Sequence, residues 1–208
     1  SDLTGKFPIS SSRGNNYILV VYHPDANAIL IETMKNRNFA TIIKAWENIL
    51  QRLKKAAEKP NLWILDNECS NDLKNAFTDE EITWQHVPPH QHRANAAERA
   101  IQTFKKHIKS CLATVNPKFP LKEWDRLLPQ YELTLNLLRS AKVNPKLSAW
   151  EYLFGIFNYR KTPIVPPGTK LVAHTKPSQR GSWEFNGPEG WSIGTSPEHY
   201  RCIKCYFP

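Results

Sequence analysis

A mixed α/β fold, one sheet with helices on its faces, is predicted by three observations. Two β-rich runs, NYILVVY (Asn16 to Tyr22) and AILIETM (Ala28 to Met34), flank the turn-forming segment His23-Pro24-Asp25-Ala26-Asn27. Apolar residues then recur at helical spacing through Phe39, Ile42, Ile43, Trp46, Ile49, Leu50 and Leu53. Beyond them, short apolar or β-prone runs alternate with further helical stretches, the order expected of a sheet covered by helices.

Taken in order, the first two runs form a hairpin. Asn38 is placed to cap the helix that follows, and Pro60 ends it. LWILD (Leu62 to Asp66) is almost wholly apolar, as a strand buried on both faces should be. A short helix follows Ser70. ITWQHV (Ile82 to Val87) is another strand, closed by Pro88-Pro89. A long helix is predicted from about Asn95 to Val115, another from about Leu121 to Arg139, and a short one from Ala149 to Phe154.

Past Pro163 the composition changes. Residues 161–170, including IVPPGTK, read as a linker after a core spanning 1–160. Residues 171–208 are rich in Gly, Pro, Trp and Tyr and read as a small β-rich module. Trp183 and Trp191 are expected in its core, with base stacking the alternative. Cys202-Ile203-Lys204-Cys205, with His199 nearby, is half a zinc site, since structural zinc takes four ligands; strand packing is the favoured reading.

Charge narrows the function classes. Lys plus Arg outnumber Asp plus Glu by 28 to 19, a net charge of +9, which favours a polyanionic partner, most often nucleic acid. A glycosidase using paired carboxylates has no support in that balance. No apolar run approaches the roughly 20 residues that span a bilayer, so no membrane is expected. Four uneven cysteines (Cys69, Cys111, Cys202, Cys205) form no disulfide framework, and a reducing, intracellular compartment is expected. Both ends read as cut from a longer chain.

Three acids stand out. Ala97, Ile101, Phe104, Ile108 and Cys111 make the buried stripe of the long helix, and Glu98, Gln102, Lys105 and Lys109 run along its edge. Glu98 could complete a capping box with Asn95. Asp66 ends an apolar strand and could open an Asp-Asn turn, yet strand ends in α/β sheets are where sites form. Asp2 opens DLTG and could be a frayed terminus. Read together, acids on a first strand, a later buried strand and a basic helix suit two-metal phosphodiester chemistry, in which carboxylates hold two Mg²⁺ ions roughly 3.5–4 Å apart. His86, His90 and His92 near the third acid could contact DNA or be solvated.

DLTG, LDNE and NAAERAIQTFKKH resemble the DDE triad segments of retroviral-type integrases, specifically those of copia-like retrotransposons. LNLLRSAKVNPKLSAWEYLFG is similar to the helical segment that closes the core in that family. The resemblance implies an RNase H-like fold and an enzyme that trims element DNA 3′ ends and joins them to target DNA. By position it implies Asp2, Asp66 and Glu98 as catalytic ligands of Mg²⁺ (or Mn²⁺), with Arg93, Arg99, Lys105, Lys106 and Lys109 on DNA phosphates. It also implies homo-oligomers assembled on DNA, in a nucleus or virus-like particle. The interval from Asp66 to Glu98 is shorter than the family usually has. Asn95 replaces a glycine, and Gln102 stands where a lysine is common. The zinc domain that precedes the core in the family would lie before Ser1. A domesticated fragment that only binds nucleic acid is the alternative.

Overall fold

The computed structural model describes residues 1–65, 71–86 and 96–208. Strand β1 (Asp2–Leu3) pairs antiparallel with β2 (Tyr17–His23), which pairs antiparallel with β3 (Ala28–Met34). Helix α1 (Phe39–Lys55) leads to β4 (Leu62–Leu65), α2 (Asn71–Asp79) and β5 (Thr83–His86). The β4 and β5 strands pair in parallel. Helices α3 (Ala96–Ala113), α4 (Trp124–Leu137, entered through a 3₁₀ turn at Leu121–Glu123) and α5 (Ala149–Phe154) follow. Strands β6 (Lys170–Val172), β7 (Glu189–Ser196) and β8 (Cys202–Tyr206) form an antiparallel sheet in the order β6-β7-β8. Among the described residues, no helix is long and apolar enough to cross a membrane.

The β2–β3 hairpin is buried on both faces, and alternation sorts its side chains into two cores. Leu19, Val21, Leu30 and Met34 pack with Trp46, Ile49, Leu50, Leu53 and Phe77 of α1 and α2. Ile18, Val20, Ile29 and Ile31 pack with Ile101, Phe104 and Ile108 of α3 and with Trp124, Leu127 and Tyr131 of α4.

The predicted β4 needs correction. Trp63 and Leu65 are 4% and 7% exposed, but Leu62 and Ile64 are 44% and 48% exposed. Helices cover one face of this strand, and the other is only partly covered. Helix α1 stops before Pro60 as well. Ala57 takes a left-handed conformation at φ 58°, so its N–H reaches Lys54 O at 3.0 Å and the Glu58 N–H reaches Leu53 O at 3.0 Å. This paired closure ends the helix by itself. Asn38 occupies the N-cap position without a capping hydrogen bond from its side chain.

The open edge of β3 is closed by side chains. Asn136 of α4 accepts from the Ile29 N–H at 2.9 Å and donates to the Ile29 carbonyl at 2.8 Å. Two residues on, Glu132 accepts from the Ile31 N–H at 3.0 Å, and Arg52 donates to the Ile31 carbonyl at 3.2 Å. Arg52 also pairs with Glu132, whose carboxylate raises the guanidinium pKa. With the backbone groups of Ile29 and Ile31 taken, this stretch of the edge offers no template for another strand.

The β6-β7-β8 sheet lies on α4. Gln130 accepts from the Thr195 N–H at 2.8 Å, and Trp191 meets Phe119 edge-on at 6.0 Å. Trp183, expected in this core, is instead 99% exposed in a turn. Cys202 and Cys205 sit three residues apart on β8, so they face opposite sides of the strand.

Candidate nucleic-acid interface

Asp2 lies on β1, opposite Val20, and its carboxylate accepts from the Leu3 N–H at 2.6 Å. The other side of β1 meets β4. The Ser1 amino group donates to the Ile64 carbonyl at 2.7 Å, and the Trp63 indole donates to the Ser1 hydroxyl at 2.9 Å. Asp2 is thereby held one residue from a contact with β4, the strand that leads to Asp66 in sequence. Asp66, Asn95, Arg93, His90 and His92 lie outside the described residues.

Helix α3 packs against β1 and β2, so the elements carrying Asp2 and Glu98 are in contact. Ala97, Ala100, Ile101, Phe104 and Ile108 are buried on α3, as the predicted stripe requires, with Ala100 the one not anticipated. Cys111, the last of the expected stripe, is only half-buried. Glu98 is half-buried in the first described turn. Among the described residues it joins no ion pair.

Along the exposed side of α3, Arg99, Lys105, Lys106 and Lys109 reach solvent. Among the described residues, none of them has a carboxylate partner. Unneutralised cations on one helix form a surface that attracts phosphate. His86 meets Trp84 edge-on, with ring centroids 5.2 Å apart.

The two described carboxylates are hard oxygen donors of the kind Mg²⁺ takes. Among the described residues, no group of three His, Cys, Asp or Glu side chains is arranged to hold a metal ion.

The chain covers 73% of its own length and 92% of an HTLV-2 integrase catalytic core domain solved in complex with magnesium in a trimeric form, at 18% identity and a TM-score of 0.54. Over 99% of the chain it is similar to 76% of a chain in the simian T-cell lymphotropic virus intasome bound to PP2A regulatory subunit B56 gamma, at 13% identity and a TM-score of 0.54. The catalytic core of BIV integrase aligns over 66% of this chain and 84% of its own, at 13% identity and a TM-score of 0.50. The chain has the fold of a retroviral integrase catalytic core. No protein-family model and no curated protein matches the sequence. Within the integrase-core fold, the strand carrying Asp2 and the basic helix carrying Glu98 pack together.

Proposed function

We propose that the chain is the catalytic core of a copia-like retrotransposon integrase, an enzyme that trims element DNA 3′ ends and joins them to target DNA. The observation that carries this reading is the integrase-core fold bearing Asp2 on a strand in contact with the basic helix of Glu98. In this reading β1 joins β2 on one side and β4 on the other, so the two sheets act as one RNase H-like layer. The core would span residues 1–160, with 171–208 a C-terminal β module. Asp2, Asp66 and Glu98 would hold Mg²⁺ (or Mn²⁺). The ions, when bound, activate the attacking oxygen and stabilise the leaving one. The residues of α3 supply position: Lys105 and Lys109 hold the strand that ends at the acids, and Arg93, Arg99 and Lys106 add phosphate contacts. Oligomers assembled on DNA, in a nucleus or virus-like particle, follow from the same reading.

The deciding experiment is Glu98→Gln, assayed for divalent-metal-dependent strand joining and, separately, for DNA binding. Joining should be lost and binding retained, because the substitution removes one ligand charge and leaves the helix intact. Gln also serves at the third position of a capping box, so a purely structural Glu98 would tolerate it. Joining that survives would return Glu98 to capping. A parent protein that binds DNA but never joins it would favour the binding-only fragment.

A further inference from the structure

A second basic site lies on the far flank of α3. Tyr22, Ala96, Arg99, Ala100, Thr103, Arg139 and Lys142 line a cavity of about 200 Å³. The cavity is open to solvent on one side and has room for a phosphate group.

Three cations converge there from three segments: Arg99 from α3, Arg139 from just past the end of α4, and Lys142 from the loop beyond. The supporting contacts fix two of them. Arg139 Nε donates to the Asn27 carbonyl at 2.7 Å. The Lys142 ammonium sits 5.3 Å from the centroid of the Tyr22 ring, and the Tyr22 hydroxyl donates to Asn27 Oδ1 at 3.0 Å. The Lys142 N–H is anchored on the Asp25 carbonyl at 2.9 Å. Among the described residues, no carboxylate pairs with Arg99, Arg139 or Lys142. Three like charges gathered with no counter-charge among the described residues repel one another, so an anion gains from entering. Arg99 brings a guanidinium whose planar fork matches phosphate oxygens, while Arg139, whose Nε and Nη2 already donate to the Asn27 carbonyl and Oδ1, adds its charge and its remaining N–H groups.

The placement separates this cavity from Glu98. At about 100° per residue, Arg99 and Thr103 lie roughly 100–140° round the helix from Glu98. We propose that the cavity is a phosphate-binding subsite that holds a DNA backbone phosphate away from the reacting end. This rests on the DNA reading above.

The test is binding of a labelled DNA duplex in EDTA across a salt series, for the parent and for Arg99→Ala/Lys142→Ala. Loss of one neutralised phosphate should flatten the slope of log K against log salt by about 0.9. A second arm compares melting temperatures in inorganic phosphate and in chloride at equal ionic strength. Phosphate should raise the parent's melting temperature and leave the variant's unchanged. An unaltered DNA slope with a lost phosphate effect would assign the cavity to free phosphate and overturn the DNA assignment. If neither changes, there is no subsite. Should the double variant melt early in chloride, Lys142→Gln alone, at an exposed position, reads the same slope. Because EDTA silences metal chemistry, this result is independent of joining by Glu98→Gln. If the parent itself binds no DNA, the DNA assignment falls and the phosphate arm still reads the cavity.

Discussion

Asn136 and Ile29 pair reciprocally: the amide accepts from the Ile29 N–H at 2.9 Å and donates to its carbonyl at 2.8 Å. Asn136 is fully buried, so the pairing is shielded from water. Replacing it with Ala would strand a buried donor and a buried acceptor, each costing about 1–3 kcal/mol. Asn136→Ala should therefore destabilise the fold by about 2–4 kcal/mol in urea unfolding. A loss below 1 kcal/mol would mean that water or a shifted helix replaces the amide.

His107 predicts a pH dependence. Burial between α3 and α4 pushes its imidazole below the ordinary histidine value, and a hydrogen bond to the Tyr131 carbonyl, 3.1 Å away, pulls it partly back. The folded pKa is thus lower than the unfolded one. The unfolded chain takes up the proton first, so the stability from neutral His107 is present above about pH 6.5 and falls as pH drops through that value. The stability difference between the parent and His107→Gln should shrink from pH 7.5 to pH 5. A difference that stays constant would rule out His107 as the titrating group.

Gly168 ties the end of α3 to β7. Its N–H donates to the Ser192 carbonyl at 2.7 Å, and its carbonyl accepts from the Asn116 N–H at 3.2 Å. Its φ is +76°, and a Cβ there would stand 2.5 Å from a Val115 methyl. Strain and clash act together, so Gly168→Ala should cost about 1–3 kcal/mol. Adding Val115→Ala relieves the clash but not the backbone, so the melting temperature should recover only in part. Full recovery would remove the role of the left-handed backbone.

Local patterns carried the hairpin, α1 and α5, because alternation, helical spacing and turn residues report directly on short-range structure. What they could not carry was distance. Glu132 and Asn136 are buried polar residues one turn apart in α4, but their partner is the β3 edge about a hundred residues away in sequence. Likewise, Arg139 and Lys142 gain meaning only beside Tyr22 and Arg99. Ile64 reads as buried because an apolar run cannot say which of its faces is covered. At the candidate site, the sequence placed Glu98 at the border of a buried stripe, and the fold packs that helix on the strand of Asp2. Asp66 lies outside the described residues.

The last prediction concerns the lysine edge. Lys105 and Lys109 lie two and three turns beyond Glu98 on one border of α3, roughly 10 and 16 Å along the axis. Both are exposed, and among the described residues neither is paired with an acid. A strand leaving the acids along this border would meet them in succession. Phosphate contacts carry affinity but little sequence information. Lys105→Ala/Lys109→Ala should therefore weaken binding to every DNA sequence alike and flatten the slope of log K against log salt by about 1.8, two contacts' worth. Glu98→Gln should leave that slope nearly unchanged, since its carboxylate releases no phosphate counterion. If the double lysine variant keeps both the parent's affinity and its slope, the edge is a solvated helix face and DNA follows another path. If binding weakens for some sequences only, the lysines read bases, and the strand enters the site from a direction different from the helix axis.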